Sequence, residues 1–313
     1  MKVEETVPAA LDGERIDRIV ALIADISRSD ATRLIADGGA SVDGVTVKSG
    51  KPRLVEGQTV VVDLDKIPVE EPPGPDPSVV LDIVHVDDDL IVLNKSAGLV
   101  VHPASRNGTG TVVNGILALF PEVAGVGQPA RPGIVHRLDA GTTGMMVVAR
   151  SQVAYDSLVD ALTEHEVGRE YVALAWGTFD TPTATVDAPI GRHPRDPMKM
   201  TVVNNGKWAR THLQVLDEFD EPAAVSVVQC TLETGRTHQI RVHLAAVGHP
   251  VVGDSTYGGA KSALKAPRPM LHARRLTLVH PTTGVEMSWE APLPDDMVAV
   301  MSRCSSRPAD ESQ

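Results

Sequence analysis

The sequence predicts a two-domain protein built of both helices and strands. Ile16, Ile19, Val20 and Ile23 follow the spacing of one helix face, whereas short apolar runs such as residues 145–149 lie between glycine-containing turns, as strands do. The chain has 313 residues, 42% of them hydrophobic, which is enough for two domains and a sizeable core. Aromatic residues make up only 3%, so Val, Leu, Ile and Ala must form that core.

The first domain is predicted over residues 14–69, after an extended lead-in. A helix begins near Glu14, and Ser29 or Asp30 can cap a second helix that ends at Gly38-Gly39. Asp43-Gly44 then supplies the positive φ angles of a tight hairpin. Two short helices and a small strand ribbon are therefore expected.

Residues 70–78 are predicted to be a linker. They contain four prolines in nine residues, which excludes a helix or a central strand and favours a stiff extended segment. A second domain over residues 79–301 and a polar tail over 302–313 follow.

The second domain alternates strands and helices. The apolar patterns predict strands at 83–86, 90–94, 99–103, 145–149, 169–177 and 225–232, and another through Met287 and Trp289. They predict helices at 111–120 (beginning from Thr109 or Gly110), 151–163 and, after a turn, within 233–244. Residues 181–210, rich in Pro, Gly and Arg, are expected to form a long surface loop.

A lone carboxylate, Asp139, lies on the turn that enters the strand 145–149. From its position alone, Asp139 can either tighten the turn through its own backbone or act as a nucleophile or acid-base group. Tyr171, on a later strand, also has two interpretations. It can belong to the site, but a buried tyrosine is most often part of the core.

Three motifs resemble those of the RluA-type pseudouridine synthases. The string from His136 to Gly144, HRLDAGTTG, resembles the family's nucleophile motif. Residues 93–103 resemble its NKPxGxxVHP opening, with Ser96 where proline is usual, and residues 233–244 resemble its third motif. The order of elements in residues 14–65 is similar to an S4 RNA-binding domain. Together these features look most like the RluD-type branch.

The resemblance implies an α+β fold. It consists of a mixed, largely antiparallel central sheet of the pseudouridine synthase type, with a cleft across its middle, preceded by a small S4-like (αL) domain. It implies that the protein isomerises uridine to pseudouridine in 23S ribosomal RNA, with helix 69 as the expected target. The partner would be that RNA or the assembling large ribosomal subunit. No metal or redox cofactor enters the reaction.

The same resemblance assigns roles to individual residues. Asp139 would be the nucleophile, and Tyr171 would stack on the uracil. Arg236, on the turn at Gly235, would be the cation that faces Asp139 and favours its ionised form. Arg137 would fill the stack vacated by a flipped-out base.

Cations of the S4-like domain and of the 181–210 segment are the candidates for RNA contact. They are Arg15, Arg18, Arg28, Arg33, Lys48, Lys51, Arg53, Arg192 and Lys199. The alternative is a solvated helix face, because Asp17, Asp25, Asp30 and Asp37 lie between the arginines of the helices. A net charge of −12 argues against a purely electrostatic RNA binder, although residues 192–275 carry 12 Lys/Arg against 7 Asp/Glu.

The remaining features predict a cytoplasmic protein, expected to be a monomer. The N-terminus has no signal-peptide pattern, no run approaches the ~18 apolar residues of a membrane helix, and Cys230 and Cys304 form no CxxC pair. Two other functions stay open. One is a non-catalytic RNA-binding or assembly factor, and the other is a nucleoside-type hydrolase using Asp139 with water, which lacks the paired carboxylate of a glycosidase.

Overall fold

The protein is described by a computed structural model that covers residues 1–67, 72–102, 108–196 and 198–306. It divides into two compact units, Met1–Glu71 and Pro72–Gln313, so the division falls inside the segment predicted as linker. Of that segment, Glu70 and Glu71 lie outside the described residues, as do Pro103 and the end of the tail from residue 307.

The first unit packs two helices on a four-stranded sheet. Its elements are β1 (Lys2–Thr6), α1 (Ile16–Ala24), α2 (Arg28–Ala36), β2 (Ala40–Val42), β3 (Val45–Val47) and β4 (Thr59–Asp63), with strand order β1-β4-β2-β3. The apolar face of α1 is buried with Leu34 and Ile35 of α2 and with Val60 and Val62 of β4. The predicted hairpin is present, with Asp43 and Gly44 both at positive φ.

Two predictions for this unit were wrong. Residues 2–6 form a strand paired with β4, not an extended lead-in. This strand lies at the edge of the sheet, where it needs hydrogen bonds on one side only. The cap of α2 is Ser27, whose side chain accepts a hydrogen bond from the backbone N of Asp30, so the helix begins before the predicted Ser29 or Asp30.

The second unit is organised around one large sheet. Its elements are β5 (Asp82–Val86), β6 (Leu90–Lys95), α3 (Val112–Leu119), β7 (Thr143–Ala149), α4 (Gln152–Thr163), β8 (Gly168–Trp176), β9 (Thr183–Asp187), β10 (Ile190–Arg192), β11 (Met200–Val202), β12 (Arg210–Phe219), β13 (Val225–Leu232), α5 (Gln239–Ala246), β14 (Leu271–Val279), β15 (Glu286–Glu290) and α6 (Asp295–Met301). The nine-stranded sheet has the order β5-β6-β7-β14-β8-β13-β12-β9, with β15 also paired to β14. Among these pairs only β7 and β14 run parallel, which confirms the mixed, largely antiparallel sheet.

The segment predicted as a long loop over 181–210 contains three strands. β9 is the edge of the large sheet, and β10 pairs with β11 in a separate ribbon. In β9, Ala184 and Val186 alternate with polar residues, but the run has only five residues and only Val186 is buried, so the strand signal is weak inside a segment rich in Pro, Gly and Arg.

Other element boundaries also differ from those predicted from the sequence. Residues 99–102 of the strand predicted at 99–103 form no strand, since Val100 makes only an isolated bridge with Thr111. Thr111 caps α3 in a capping box with Asn114, later than the predicted start. Part of the predicted linker is tied to α3, because the Asn114 side chain donates to the carbonyl of Gly74 at 2.7 Å.

The register of the central strands brings distant parts of the chain together. Ala273 on β14 lies opposite Gly144 of β7 on one side and Tyr171 of β8 on the other. The turn that carries Asp139 leads directly into β7, all of whose seven residues are buried. The middle of the sheet therefore places Asp139 and Tyr171 at one location.

Candidate active site

A cleft of about 560 Å³ lies over the middle of the large sheet. Asp139, Tyr171, Arg236 and Arg137, which the sequence places in three separate segments, all line it. Arg192 and Lys199 are not among its lining residues. The cleft thus unites the predicted catalytic residues but not the predicted cations of the 181–210 segment.

Arg241, not Arg236, is the cation that holds Asp139. Its Nη1 donates to Oδ2 of Asp139 at 2.9 Å, and the Arg241 side chain is only 8% exposed. The predicted ion pair between Arg236 and Asp139 is therefore corrected. Arg236 stands on the turn before α5 and its Nε donates to the carbonyl of Trp208 at 2.9 Å, whereas Arg241 extends from the first turn of α5.

The sequence does contain a signal for Arg241. It lies between two apolar residues, Ile240 and Val242, both of which are buried. A guanidinium in such a helix must find a carboxylate, since an unpaired buried charge is costly.

Asp254 completes the support of Arg241. Its fully buried carboxylate accepts from Nε at 2.6 Å and from Nη2 at 2.9 Å, which leaves Nη1 for Asp139. Backbone N–H groups of Thr256 and Tyr257 donate to the same carboxylate. Burial disfavours the charged guanidinium, but the carboxylates of Asp254 and Asp139 outweigh it and raise the pKa of Arg241 above its ordinary value.

His238 approaches the other oxygen of Asp139. Its Nε2 lies 3.8 Å from Oδ1, and its Nδ1 is hydrogen-bonded to the Tyr257 hydroxyl at 2.8 Å. His238 precedes α5 with a positive φ of 57°, which turns its ring into the cleft lining. Burial lowers the pKa of His238, although the Asp139 carboxylate opposes that shift.

Tyr171 is a protonated phenol in this site. Burial, opposed by the charge of Arg169 and assisted by that of Asp139, raises the pKa of Tyr171 to about 12. At neutral pH its hydroxyl can therefore donate a proton or a hydrogen bond but cannot act as a ready base.

Buried polar groups anchor the turn that carries Asp139. Lys95 donates from Nζ to the carbonyls of Ser96, Leu99 and Ala140, and burial lowers the pKa of this lysine to about 8. Nε2 of His136 accepts a hydrogen bond from the backbone N of Val147. Burial and then the charge of Arg169 lower the pKa of His136 to about 3, so this ring is neutral.

Carboxylates pair with four of the candidate RNA-binding cations of the first unit. Arg15 and Arg28 both pair with the buried Asp17, Arg18 pairs with Glu14, and Arg33 pairs with Asp30. Arg53 donates to the carbonyl of Gly13. Lys48 and Lys51 are exposed.

Elsewhere, Arg137 is exposed at the cleft, with Nη1 3.5 Å from Nε2 of His102. Lys199 lies 3.9 Å from Asp196. Within the described ranges, no cluster of three or more His, Cys, Asp or Glu could hold a metal ion, and no helix is long and apolar enough to cross a membrane.

Comparisons with known proteins agree on one family. The profile of a family described as RNA pseudouridylate synthase matches residues 89–246. A ribosomal large subunit pseudouridine synthase D of Nitrosomonas europaea is 41% identical over 98% of this chain and 89% of its own. A protein of the same description from Escherichia coli K12 is 42% identical over 92% of this chain and 90% of its own. The solved structure of human RNA pseudouridylate synthase domain containing 1 matches with a TM-score of 0.59 and 30% identity, covering 74% of this chain and 91% of that one.

Proposed function

Because the chain belongs to the RNA pseudouridylate synthase family, and is an RNA pseudouridine synthase of the RluD type, we propose that its substrate is large-subunit ribosomal RNA, with helix 69 as the target. Its relatives, described as ribosomal large subunit pseudouridine synthases, support the ribosomal substrate. The single observation that carries the chemical assignment is the Asp139 carboxylate, held by Arg241 in a cleft that Tyr171 also lines.

The reaction requires three changes at the nucleotide. The glycosidic bond between C1′ and N1 breaks, the uracil turns, and C5 joins C1′ while the proton leaves C5 and N1 gains one. Asp139 either attacks C1′ or stabilises the positive charge that develops there. Both routes use the carboxylate as an anion, and the guanidinium of Arg241, at 2.9 Å, provides its counter-charge.

Tyr171 serves the base and not the sugar in this proposal. Its ring lies in the cleft wall, where an aromatic face can stack on the uracil while it turns. Because its hydroxyl remains protonated at neutral pH, it can donate to the base as charge develops there.

The target uridine must leave its helix or loop to reach Asp139. Flipping costs a few kcal/mol, so a side chain that occupies the vacated stack lowers the barrier. Arg137 is exposed at the cleft, two residues before Asp139, and is proposed for this role.

The domain division belongs to the same proposal. Residues 14–69 act as an S4-like RNA-binding domain and residues 79–301 as the catalytic domain, with 70–78 as the linker. The two helices and the small sheet of the first unit support this assignment.

The test maps pseudouridine in ribosomal RNA from cells that carry either the wild type or Asp139→Asn as the sole copy. The substitution preserves size but removes the charge, so the site-specific pseudouridines are expected to disappear. Asp160→Asn is the matched control, because Asp160 is exposed on α4 and does not line the cleft. A pattern in the Asp139→Asn cells identical to wild type would reject Asp139 as the required group.

A further inference from the structure

Arg169 is a buried cation for which the established chemistry has no use. It lines the cleft, yet its residue is only 6% exposed. Its Nη2 donates to the backbone carbonyl of Glu233 at 3.1 Å, while its Nε has no partner. Within the part of the chain that the structure describes, no carboxylate lies within ion-pairing distance of Arg169.

The other two buried arginines of the described chain each have a carboxylate partner. Arg241 is held through two nitrogens by Asp254, and Arg268 through two nitrogens by Asp296. Burying a guanidinium without such a counter-charge costs several kcal/mol. Burial lowers the pKa of Arg169, in keeping with that cost. Arg169 is thus a buried charge that the protein itself leaves without a counter-ion.

A second cation stands beside it. The charge of Arg236 also lowers the pKa of Arg169, so the two guanidinium groups repel one another. Arg236 lines the same cleft. Its Nε donates to the carbonyl of Trp208, and among the described residues its guanidinium forms no ion pair with a carboxylate. The nearby carboxylate of Glu233 is taken by Arg210 and His212.

The backbone leaves room for this pair. A Cβ atom at Gly235 would lie 2.7 Å from Nη1 of Arg169, so the turn between Glu233 and Arg236 passes directly over the guanidinium. Arg169 also stands two residues before Tyr171 on β8, so both side chains leave the same face of the strand. The pair therefore lies next to the place where the uracil is proposed to stack.

We propose that Arg169 and Arg236 together bind a phosphate group of the RNA segment that carries the target uridine. The inference rests on the proposed function, since it takes RNA as the substrate. Two unpaired cations call for an anion, whereas a uracil carbonyl would leave both positive charges uncompensated. Guanidinium groups match a phosphate through charge-assisted hydrogen bonds. Holding one phosphate beside Asp139 would fix the sugar for the reaction at C1′.

The test combines protein and RNA changes. A set of oligoribonucleotides that contain the mapped target uridine is prepared, each with one methylphosphonate in place of a phosphate near that uridine. Dissociation constants and single-turnover rates are measured for the wild type and for Arg169→Met. At one position we expect the neutral linkage to weaken binding to the wild type about 10- to 100-fold. At that position the neutral linkage should weaken binding to Arg169→Met, already weak on the natural RNA, by a clearly smaller factor, because only Arg236 remains to meet the phosphate charge.

Two further variants make the result specific. Arg236→Met should show the same coupling at the same phosphate, and it remains informative if Arg169→Met fails to fold, because Arg236 is only half-buried. Arg275→Met is the control. Arg275, on β14, pairs with Glu170 and Glu290 and does not line the cleft. For Arg275→Met the effect of the neutral linkage on affinity should be the same as in the wild type, because the two changes are independent.

Stability offers an independent readout. Arg169→Met removes an uncompensated buried charge, so without RNA it should melt at the same temperature as the wild type or higher. The proposal would be overturned if, at every phosphate, the loss of affinity from the Arg169→Met change and the loss from the methylphosphonate simply multiplied. It would also be overturned if the Arg169→Met change coupled to a thio-substituted uracil carbonyl and not to a phosphate. Failure of the proposed function would look different, because the wild type would then form no pseudouridine on the unmodified RNA.

Discussion

Asp254 determines where the guanidinium of Arg241 points. It takes Nε and Nη2, so the one remaining edge of the group faces Asp139. The carboxylate itself is held by two backbone N–H groups and is fully buried, which gives the arrangement little freedom. If Asp139 reacts as proposed, Asp254 is a positioning residue that acts through Arg241.

Asp254→Asn is expected to lower kcat by about 10- to 100-fold with a smaller change in KM, a size typical of lost supporting contacts. The carboxamide can accept from only one nitrogen of Arg241 and turns an NH₂ group toward the guanidinium. Single-turnover measurements on RNA test this expectation. Glu290→Gln also weakens two charged hydrogen bonds, those from Arg274 and Arg275, but none of these residues lines the cleft, so turnover should not change. Equal losses of kcat in both variants would mean that the Asp254 effect is only structural.

His136 links the site to pH through stability. Its pKa in the folded protein is lowered to about 3, by burial and then by Arg169, from an ordinary value of 6.5. Between these values the unfolded chain binds a proton that the folded chain excludes, so the free energy of unfolding falls as the pH drops below 6.5. The limiting slope for one proton is about 1.4 kcal/mol per pH unit.

His136→Gln should remove that slope. A glutamine oxygen can accept from Val147 N as Nε2 of His136 does, yet it binds no proton. Urea unfolding between pH 4.5 and 8 is the measurement. The two proteins should show parallel stability above pH 7, and the wild type should lose stability faster on acidification. Parallel curves over the whole range would contradict a neutral imidazole at His136 in the folded protein.

The residues of the site differ in how far the sequence could predict them. Asp139 lies in a motif string and Tyr171 was assigned its role by the family resemblance, and both line the cleft. Arg241 escaped prediction because Arg236, five residues earlier on a glycine turn, offered an equally plausible cation. Only the direction of α5 relative to β7 decides which side chain reaches Asp139, and sequence spacing does not encode it.

At the level of elements, the contact between β7 and β14 is what joins the Asp139 turn to the Tyr171 strand. Gly144 permits it, because an ideal Cβ there would lie 2.1 Å from the carbonyl oxygen of Ala273, and its φ of 112° is unfavourable for other residues. The parallel pair therefore depends on the absence of one side chain.

Gly144→Ala should force these central strands apart and lower the free energy of unfolding by about 4 kcal/mol or more. Thermal or urea unfolding measures the change. Gly125→Ala is the matched control, since a Cβ at Gly125 meets no atom within 4 Å and its φ is not positive, so the same substitution should have little effect. A Gly144→Ala protein as stable as the control would show that the strands can part without cost.

The elements that sequence patterns predicted are those that bury one clear face. The spacing of Ile16, Ile19 and Val20 identified α1, and all three are buried. β9 was missed because its alternation is short, with Val186 as its one buried residue, and lies inside a segment rich in Pro, Gly and Arg. Its pairing with β12 is decided by hydrogen bonds between distant segments, which leave no local signature.

On the scale of the whole molecule, a net charge of −12 must be reconciled with an RNA substrate. The charges are not equivalent, because Arg15, Arg18, Arg28 and Arg33 each have a carboxylate partner. Lys48 and Lys51 are exposed in the same unit, and no carboxylate pairs with either within the described ranges. RNA affinity should therefore depend on which cations are unpaired and not on the total charge.

Replacing both lysines by alanine tests this dependence. If each meets a phosphate, the double variant should bind RNA more weakly, and the slope of log Kd against log salt concentration should fall by about 1.5. The Arg18→Ala, Arg33→Ala double variant loses the same formal charge from cations that are already paired, so its slope should stay near that of the wild type. Equal shifts in the two double variants would mean that total charge governs binding, whereas no shift in either would place the RNA contacts of this unit elsewhere.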